Sequence, residues 1–361
     1  MKKKGFISKL SLILFSLFSI SVILYIVSFS EEGLANFLVG TVGRAIRQTL
    51  GTVTGFLPFS LFEIILILSP LILVLVVIGA IRAFARRGAI RYAVSLLAVI
   101  SLFGTTFIYT LGLPYKTTRI EERMSLDTSD EYVSENLIRV AFYVRDEMNR
   151  YAESFELGKE GTEMPYGIRE MSRKISDGYK KLSEKYSFIE GYGGYVKPII
   201  FSSVMSDMGL TGIYTYPTGE ANVNVEYPDY YIPFTAAHEM AHARGISRED
   251  EASFIALLAC LESDDTYILY SAYLNMYEYL AYEVRRTDKD AYGELVGGIS
   301  DTVRGDILAA YDVYLEHEDS KLGEINDKVN DAYLQANGED GIVSYGYVVK
   351  LAVAYFGEEI D

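Results

Sequence analysis

Residues 235–256 read TAAHEMAHARGISREDEASFIA and hold two of the three histidines in the 361-residue chain. His238 and His242 are four positions apart, and Glu239 directly follows the first of them. On an α-helix, positions i and i+4 lie one turn apart on the same face, so both imidazoles can reach one ion. Glu239 is rotated from His238 by about 100°, which places its carboxylate beside that ion rather than on it.

This spacing is the HExxH arrangement, for which zinc is the expected metal and the glutamate is the expected general base. Zinc accepts imidazole nitrogen readily and lowers the pKa of a bound water to about 7, so hydroxide is available near neutral pH. A bare HExxH also arises by chance. The small and apolar flanking residues and the acidic segment that follows argue against chance here.

A third metal ligand can come from the segment after the two histidines. Gly245 can end the first helix in the left-handed conformation. Ser247 can cap a second helix, with Asp250 three residues later in the capping-box position. Glu249 and Glu251 then lie in the first turns of that helix, folded back towards the histidines, and helical facing alone leaves both open as the ligand.

The segments HEMAH and EDEASFIA together resemble the gluzincin metallopeptidases, in particular membrane-bound ones. In that family the third ligand begins a run of the form E-x-E-A-D-x-x-A, and a further carboxylate stands four residues after it. The resemblance implies Glu249 as the third ligand, with Glu251 as the alternative. Ser253 replaces the Asp or Asn of the family, which predicts weaker support for a ligand histidine.

Nearly the whole chain is similar to an uncharacterised family of bacterial membrane proteins, a domain of unknown function with three N-terminal spans and an outer zincin-like domain. The shared stretches are GIYTYPTGEANVN, PFTAAHEMAHARG, REDEASFIA and GIVSYGYVVKL. This resemblance implies the architecture and a zinc site. It implies no substrate, because none is established for that family.

Three long apolar runs cover about residues 10–29, 60–81 and 92–112. Each is close to the ~20 residues that cross about 30 Å of hydrocarbon as a helix. We therefore predict three transmembrane helices in a membrane domain over residues 1–115. Residues 116–361 form the second predicted domain.

The basic residues orient these spans in the bilayer. The loop between the first two spans carries only two arginines, offset by Glu31 and Glu32. Positive charge is concentrated before the first span and between the second and third, at Lys2, Lys3, Lys4, Lys9, Arg82, Arg86, Arg87 and Arg91. The positive-inside rule then predicts a cytoplasmic N-terminus and an extracytoplasmic second domain, in a multi-pass protein of the cell membrane.

Charge and cysteine content exclude several classes of site. Up to Tyr115 there are ten Lys/Arg and three Asp/Glu, a net of +7, and the remainder has 23 against 46, a net of −23. An acidic domain of this kind is a poor partner for nucleic acid, where cations must replace the counterions of phosphate. The single Cys260 excludes an intrachain disulfide and a cysteine-ligated metal, and its apolar neighbours predict a buried, inert thiol.

The second domain is predicted to be α+β and zincin-like, mostly helical with a small sheet. Periodicity predicts helices at residues 130–155 and 165–187, and an almost entirely helical pattern after Pro233. β-branched and aromatic residues predict strands at 195–205 and 212–227. Four tyrosines at helical spacing predict a half-buried packing stripe on one helix. These are Tyr267, Tyr270, Tyr273 and Tyr277.

The stretch ANVNVEY, residues 221–227, alternates polar and apolar side chains. It is either an edge strand that pairs with an extended substrate or an ordinary antiparallel strand. In the first case Asn222 and Asn224 contact the substrate. A donor to the oxyanion would come from elsewhere in the chain, and Tyr345 and His317 are the candidates.

These observations predict a membrane-anchored zinc metallopeptidase that hydrolyses a peptide bond of a protein or cell-wall peptide outside the cytoplasm, with Glu239 as general base. The alternative is a non-catalytic module of the same fold that binds or signals at the cell surface. The intact HExxH favours the enzyme, because a binding module needs no base, whereas Ser253 slightly favours the module. An intramembrane protease is disfavoured, because the motif lies more than a hundred residues past the last span.

Overall fold

The structure is a computed structural model, and it describes residues 7–192, 194–337 and 346–360. It is mostly helical, at 74%, with a small sheet, as the sequence predicts. The chain divides into two compact units. The first comprises Met1–Thr117 with Thr215–Glu220, and the second comprises Thr118–Tyr214 with Ala221–Asp361.

The first unit contains three helices that are long and apolar enough to cross a membrane, which confirms the three predicted runs. Ser8 and Ser60 begin two of them by accepting hydrogen bonds from the backbone N–H groups of Ser11 and Glu63. The helices of this unit are α1 (Lys9–Val27), α2 (Glu32–Leu38), α3 (Arg44–Gly55), α4 (Leu61–Ala85) and α5 (Ala89–Phe107). The orientation of the spans stays a prediction.

The segment between the first two spans is helical, although the sequence predicts a loop there. Arg47 of α3 is buried, and its guanidinium donates to the carbonyl oxygens of Val39 at 3.0 Å and Tyr109 at 3.3 Å. Glu220, also in this unit, accepts from the backbone N–H groups of Leu61 at 2.9 Å and Phe62 at 3.0 Å. A carboxylate at that position stabilises the N-terminus of α4.

The second unit is built around buried faces of long helices, and α7 and α8 lie within the two predicted ranges. Its helices are α6 (Ile120–Met124), α7 (Asp130–Ala152), α8 (Ile168–Lys185), α9 (Ser202–Asp207), α10 (Tyr231–His242), α11 (Glu249–Leu261), α12 (Thr266–Thr287), α13 (Lys289–Gly297), α14 (Asp301–His317), α15 (Lys321–Asn337) and α16 (Gly346–Glu359). The predicted tyrosine stripe on α12 is confirmed as packing, because all four side chains are buried.

Two small sheets are formed mainly by residues of the second unit. The strands β1 (Leu157–Gly158) and β2 (Gly161–Thr162) form an antiparallel pair, and the larger sheet contains β3 (Lys197–Pro198), β4 (Gly212–Thr215) and β5 (Glu220–Val223). Its order is β3-β5-β4, with β3 and β5 parallel.

The predicted strands are wrong in two respects. Only Lys197–Pro198 of the first is a strand, and α9 occupies its second half. The second is two strands joined by a turn at 216–219, in which Gly219 adopts a φ of +67°.

Candidate metal centre

The helix that carries the two histidines is held by contacts at its C-terminal half. The Tyr179 hydroxyl donates to the carbonyl oxygen of Ala237 at 2.7 Å. The Arg244 guanidinium lies 3.8 Å from the centre of the Tyr179 ring and donates to the carbonyl oxygen of Met240 at 2.9 Å. A cation near a helix C-terminus is favourable, so these contacts fix the position of α10 in the core.

The turn after α10 follows the prediction at one residue and departs from it at another. Gly245 has a φ of +91°, as expected for the residue that ends a helix in the left-handed conformation. The predicted cap at Ser247 is wrong, because Arg248 is the N-cap of α11. The Ser247 hydroxyl is buried and makes no hydrogen bond within the described residues.

Three side chains converge where α10 and α11 meet. One potential ligand atom each from His238, His242 and Glu249 lies within 4.8 Å of the other two. Glu249 Oε2 is 3.1 Å from His238 Nε2 and 3.6 Å from His242 Nε2. Two ligand atoms that are each about 2.0–2.2 Å from a tetrahedral zinc ion lie about 3.3–3.6 Å apart. The two separations from Glu249 Oε2 lie close to this range.

The two imidazoles are oriented by contacts on their far sides. His242 Nδ1 is 2.7 Å from the carbonyl oxygen of Ile246, which can only accept, so Nδ1 carries a proton and Nε2, which faces Glu249, is the nitrogen that could bind a metal ion. His238 Nδ1 is 3.1 Å from Ser253 Oγ. Such contacts at the distal nitrogen set the tautomer of metal-binding histidines. Ser253 makes this contact with a neutral oxygen, where the gluzincin pattern has Asp or Asn.

Glu251 is directed to other partners. Its Oε1 accepts from the backbone N–H of Ile120 at 3.3 Å and from Arg248 Nη1 at 3.2 Å. Arg119 Nη1 lies 3.8 Å from the same oxygen. The structure thus brings Glu249, rather than Glu251, to the two histidines.

Glu239 is buried beside this group, with 5% of its surface exposed. Its Oε2 makes no hydrogen bond within the described residues. Strand β4 passes close by at Gly212, where a Cβ would lie 2.6 Å from Glu239 Oε1. Burial raises the pKa of Glu239 to about 6, although His242 and His238 oppose the rise. The site therefore presents a carboxylate with an unengaged oxygen and a pKa near neutrality.

The three converging side chains shift one another's pKa values. Burial raises the pKa of Glu249, but His242 and His238 outweigh it and hold that pKa well below its usual range. Burial lowers the pKa of His242, but Glu249 outweighs it and raises that pKa to about 9. A carboxylate and an imidazolium in contact form the arrangement that a divalent cation replaces with release of a proton.

The family model described as "Protein of unknown function (DUF3810)" matches residues 40–353, which include α10, α11 and all the converging side chains. The chain belongs to the DUF3810 family. This confirms the predicted membership of a family of unknown function. Comparisons of this DUF3810 chain with curated proteins and with solved structures return no match.

The two residues predicted to bind substrate are buried in the DUF3810 chain. Asn222 is 0% exposed and Asn224 is 2% exposed. The Asn222 side chain donates to the carbonyl oxygen of Ile213 at 3.2 Å, and that of Asn224 donates to Leu210 at 3.0 Å. They stabilise the chain locally. Because β5 is the central strand of its sheet, the interpretation of this stretch as an edge strand is wrong, and a substrate role for the two asparagines stays a prediction.

The two candidates for an oxyanion donor are placed differently. His317 lies between two carboxylates, with Nδ1 2.8 Å from Asp207 Oδ1 and Nε2 3.3 Å from Glu226 Oε2. It is not one of the three converging groups. Tyr345 lies outside the described residues.

Two further residues near the site have no role that the sequence predicts. Gly212 lets β4 approach Glu239, and Tyr279 of α12 lies near Ser253, whose hydroxyl opposes the rise in the pKa of Tyr279 that burial causes. Tyr279 is one of thirty tyrosines, and Gly212 is one of thirty glycines. No local pattern distinguishes either residue, because only the packing of distant segments brings them to the site.

Proposed function

We propose that this DUF3810 protein is a membrane-anchored zinc metallopeptidase, which hydrolyses a peptide bond of a protein or cell-wall peptide outside the cytoplasm. The observation that carries the proposal is the convergence of His238, His242 and Glu249 next to the buried carboxylate of Glu239. Two imidazoles and one carboxylate form the donor set of a catalytic zinc site, and the adjacent second carboxylate can act as its base.

The side chains fit zinc by chemistry as well as by distance. His238 and His242 would bind through Nε2, because their Nδ1 atoms face Ser253 and Ile246. Glu249 would bind through its carboxylate. When bound, zinc supplies a Lewis acid and lowers the pKa of water.

Glu239 is proposed as the general base. Its Oε2 accepts a proton from the attacking water and then donates it to the nitrogen of the leaving amine. A group that does both works best with a pKa near the working pH. Burial moves the pKa of Glu239 in that direction.

The cellular placement rests on charge rather than on contacts. Arginines between the second and third spans favour a cytoplasmic side for that loop. The site would then face outward, where protein and cell-wall peptides are available and nucleic acid is not. A reporter that is active only in the cytoplasm should be inactive when fused after Tyr115, and activity there would reverse the assigned side.

The second candidate function is a zincin-fold module that binds or signals without catalysis. The observation that favours it is the neutral hydroxyl of Ser253 at His238, where a carboxylate would strengthen the metal–histidine bond. Both candidate functions require the same three metal ligands. They differ in whether Glu239 acts as a general base.

The test compares wild type with Glu239→Gln in the full-length protein. Both forms should hold about one zinc per chain, because the substitution keeps the size of the side chain and leaves the ligands in place. Turnover of a diverse peptide and cell-wall library should fall by about 10²–10⁴-fold, the usual cost of losing a general base. Equal activity of the two forms would refute the role of Glu239, and a zinc-loaded wild type that cleaves nothing would favour the binding module.

A further inference from the structure

Four arginines surround the turn that joins α4 to α5. They are Arg82, Arg86, Arg87 and Arg91, and all four side chains are exposed. Arg87 adopts a φ of +54° at the centre of the turn. We call these four residues the arginine turn.

Three of the four arginines, Arg82, Arg86 and Arg87, have no acidic partner within the described residues. The sequence has no Asp or Glu from residue 64 to residue 120. Glu63 lies at the other end of α4, nineteen residues before Arg82, which is about 28 Å along a helix. Within the described residues, the side chains of Arg82, Arg86 and Arg87 make no ion pair. An anion from outside the chain can therefore approach these three side chains.

An apolar groove begins directly beside the arginine turn. It has a volume of about 500 Å³ and is lined by Ala80, Ile81, Phe84, Ala89, Tyr92, Ala93 and Leu96. Three of these residues are alanines, which leave room between the helices. Deeper along α4, the Tyr92 hydroxyl donates to the carbonyl oxygen of Val76 at 2.8 Å and closes the gap against Gly79.

We propose that the arginine turn and this groove bind one anionic glycerophospholipid. The guanidinium groups contact the phosphate and the negative headgroup, and one acyl chain lies in the groove between α4 and α5. Guanidinium matches phosphate with two parallel hydrogen bonds. A zwitterionic lipid fits less well, because its ammonium group would be placed among four cations.

The ratio of the affinities for an anionic and a zwitterionic lipid can be predicted. A basic residue near an anionic surface contributes a factor of about five in binding. Part of this is lost to solvent screening, so we expect brominated phosphatidylglycerol to bind at least fivefold more tightly than brominated phosphatidylcholine. The preference should shrink in high salt, because the headgroup contact is at the water interface.

The chain offers a clean optical probe, because it contains no tryptophan. Phe84 is 79% exposed and lines the groove, so Phe84→Trp places a single fluorophore at the proposed acyl chain. The full-length variant is reconstituted in vesicles with increasing fractions of either brominated lipid, and quenching gives the relative affinity. Phe103→Trp, exposed on α5 and outside the groove, is the matched control and should be quenched equally by both lipids.

Two further variants separate charge from shape. In the Phe84→Trp background, Arg86→Gln with Arg87→Gln should reduce the preference for phosphatidylglycerol to below about twofold. Arg86→Lys with Arg87→Lys should keep most of it, because lysine also attracts phosphate. Equal quenching of the Phe84→Trp fluorescence by both lipids, with the arginine turn intact, would refute the proposal. A preference for phosphatidylglycerol that survives the glutamine substitutions, or that the Phe103→Trp control also shows, would refute it as well. No quenching by either lipid would show that lipid does not occupy the groove.

Discussion

Gly178 of α8 offers a sharp test of how the core holds α11, the helix that carries Glu249. A Cβ at this position would lie 2.2 Å from the carbonyl oxygen of Ala259 and 3.3 Å from its carbonyl carbon. Contacts under 3.0 Å must be relieved by movement, and here the obstacle is the backbone of α11 rather than a flexible side chain. Overpacking of this kind costs about 1–3 kcal/mol. We therefore expect Gly178→Ala to destabilise the folded protein by at least that amount.

Gly293 of α13 is the matched control. It is exposed, lies within a helix, and would place a Cβ in open space. Gly293→Ala should stabilise the protein by about 0.4–1 kcal/mol, because alanine reduces the entropy of the unfolded chain. The same substitution therefore has opposite signs at the two positions, and the two free energies of unfolding differ by at least about 1.4 kcal/mol.

The assay is denaturant unfolding of the full-length protein in detergent, with zinc affinity measured on the same samples. Because α11 also carries Glu249, a shift of this helix at Ala259 should displace that carboxylate. We therefore expect the Gly178→Ala variant to bind zinc more weakly than wild type and the Gly293→Ala variant to bind it equally well. Equal unfolding free energies for the two variants would refute the packing argument. A destabilised Gly178→Ala with unaltered zinc affinity would show that the two ends of α11 move independently.

Three more predictions concern single carboxyl or hydroxyl groups. Glu249→Gln should lower zinc content more than Glu251→Gln, and the opposite ranking by metal analysis would move the third ligand to Glu251. Ser253→Ala should weaken zinc binding by about 10–100-fold in a chelator competition, and unchanged affinity would leave the hydroxyl without a role. Burial raises the pKa of Glu278 from 4.5 to about 7, so the folded state keeps a proton that the unfolded chain releases, and stability falls as pH rises through that interval. Glu278→Gln should therefore leave stability at pH ~4 unchanged and raise it at pH ~8 by up to about 3 kcal/mol, and an equal effect at both pH values would contradict this.

Local patterns in the sequence determined the helical elements and the centre of the site. An apolar run of about twenty residues has few alternatives to a membrane span, and the three predicted runs are helices in the structure. The i, i+4 spacing places His238 and His242 on one helical face whatever surrounds them. Gly245 ends that helix for a reason that is equally local.

Long-range packing decided what the sequence left open. Glu249 and Glu251 are both in the first turn of α11, and they differ only in what the rest of the chain places next to them. Ile120 and Arg248 meet Glu251, whereas the histidines meet Glu249. In the same way, alternation in ANVNVEY indicates a strand but carries no information about its neighbours, so the burial of Asn222 depended on β3 and β4 flanking it. Periodicity reports the direction of a side chain from its own backbone, and only the tertiary structure determines what it meets there.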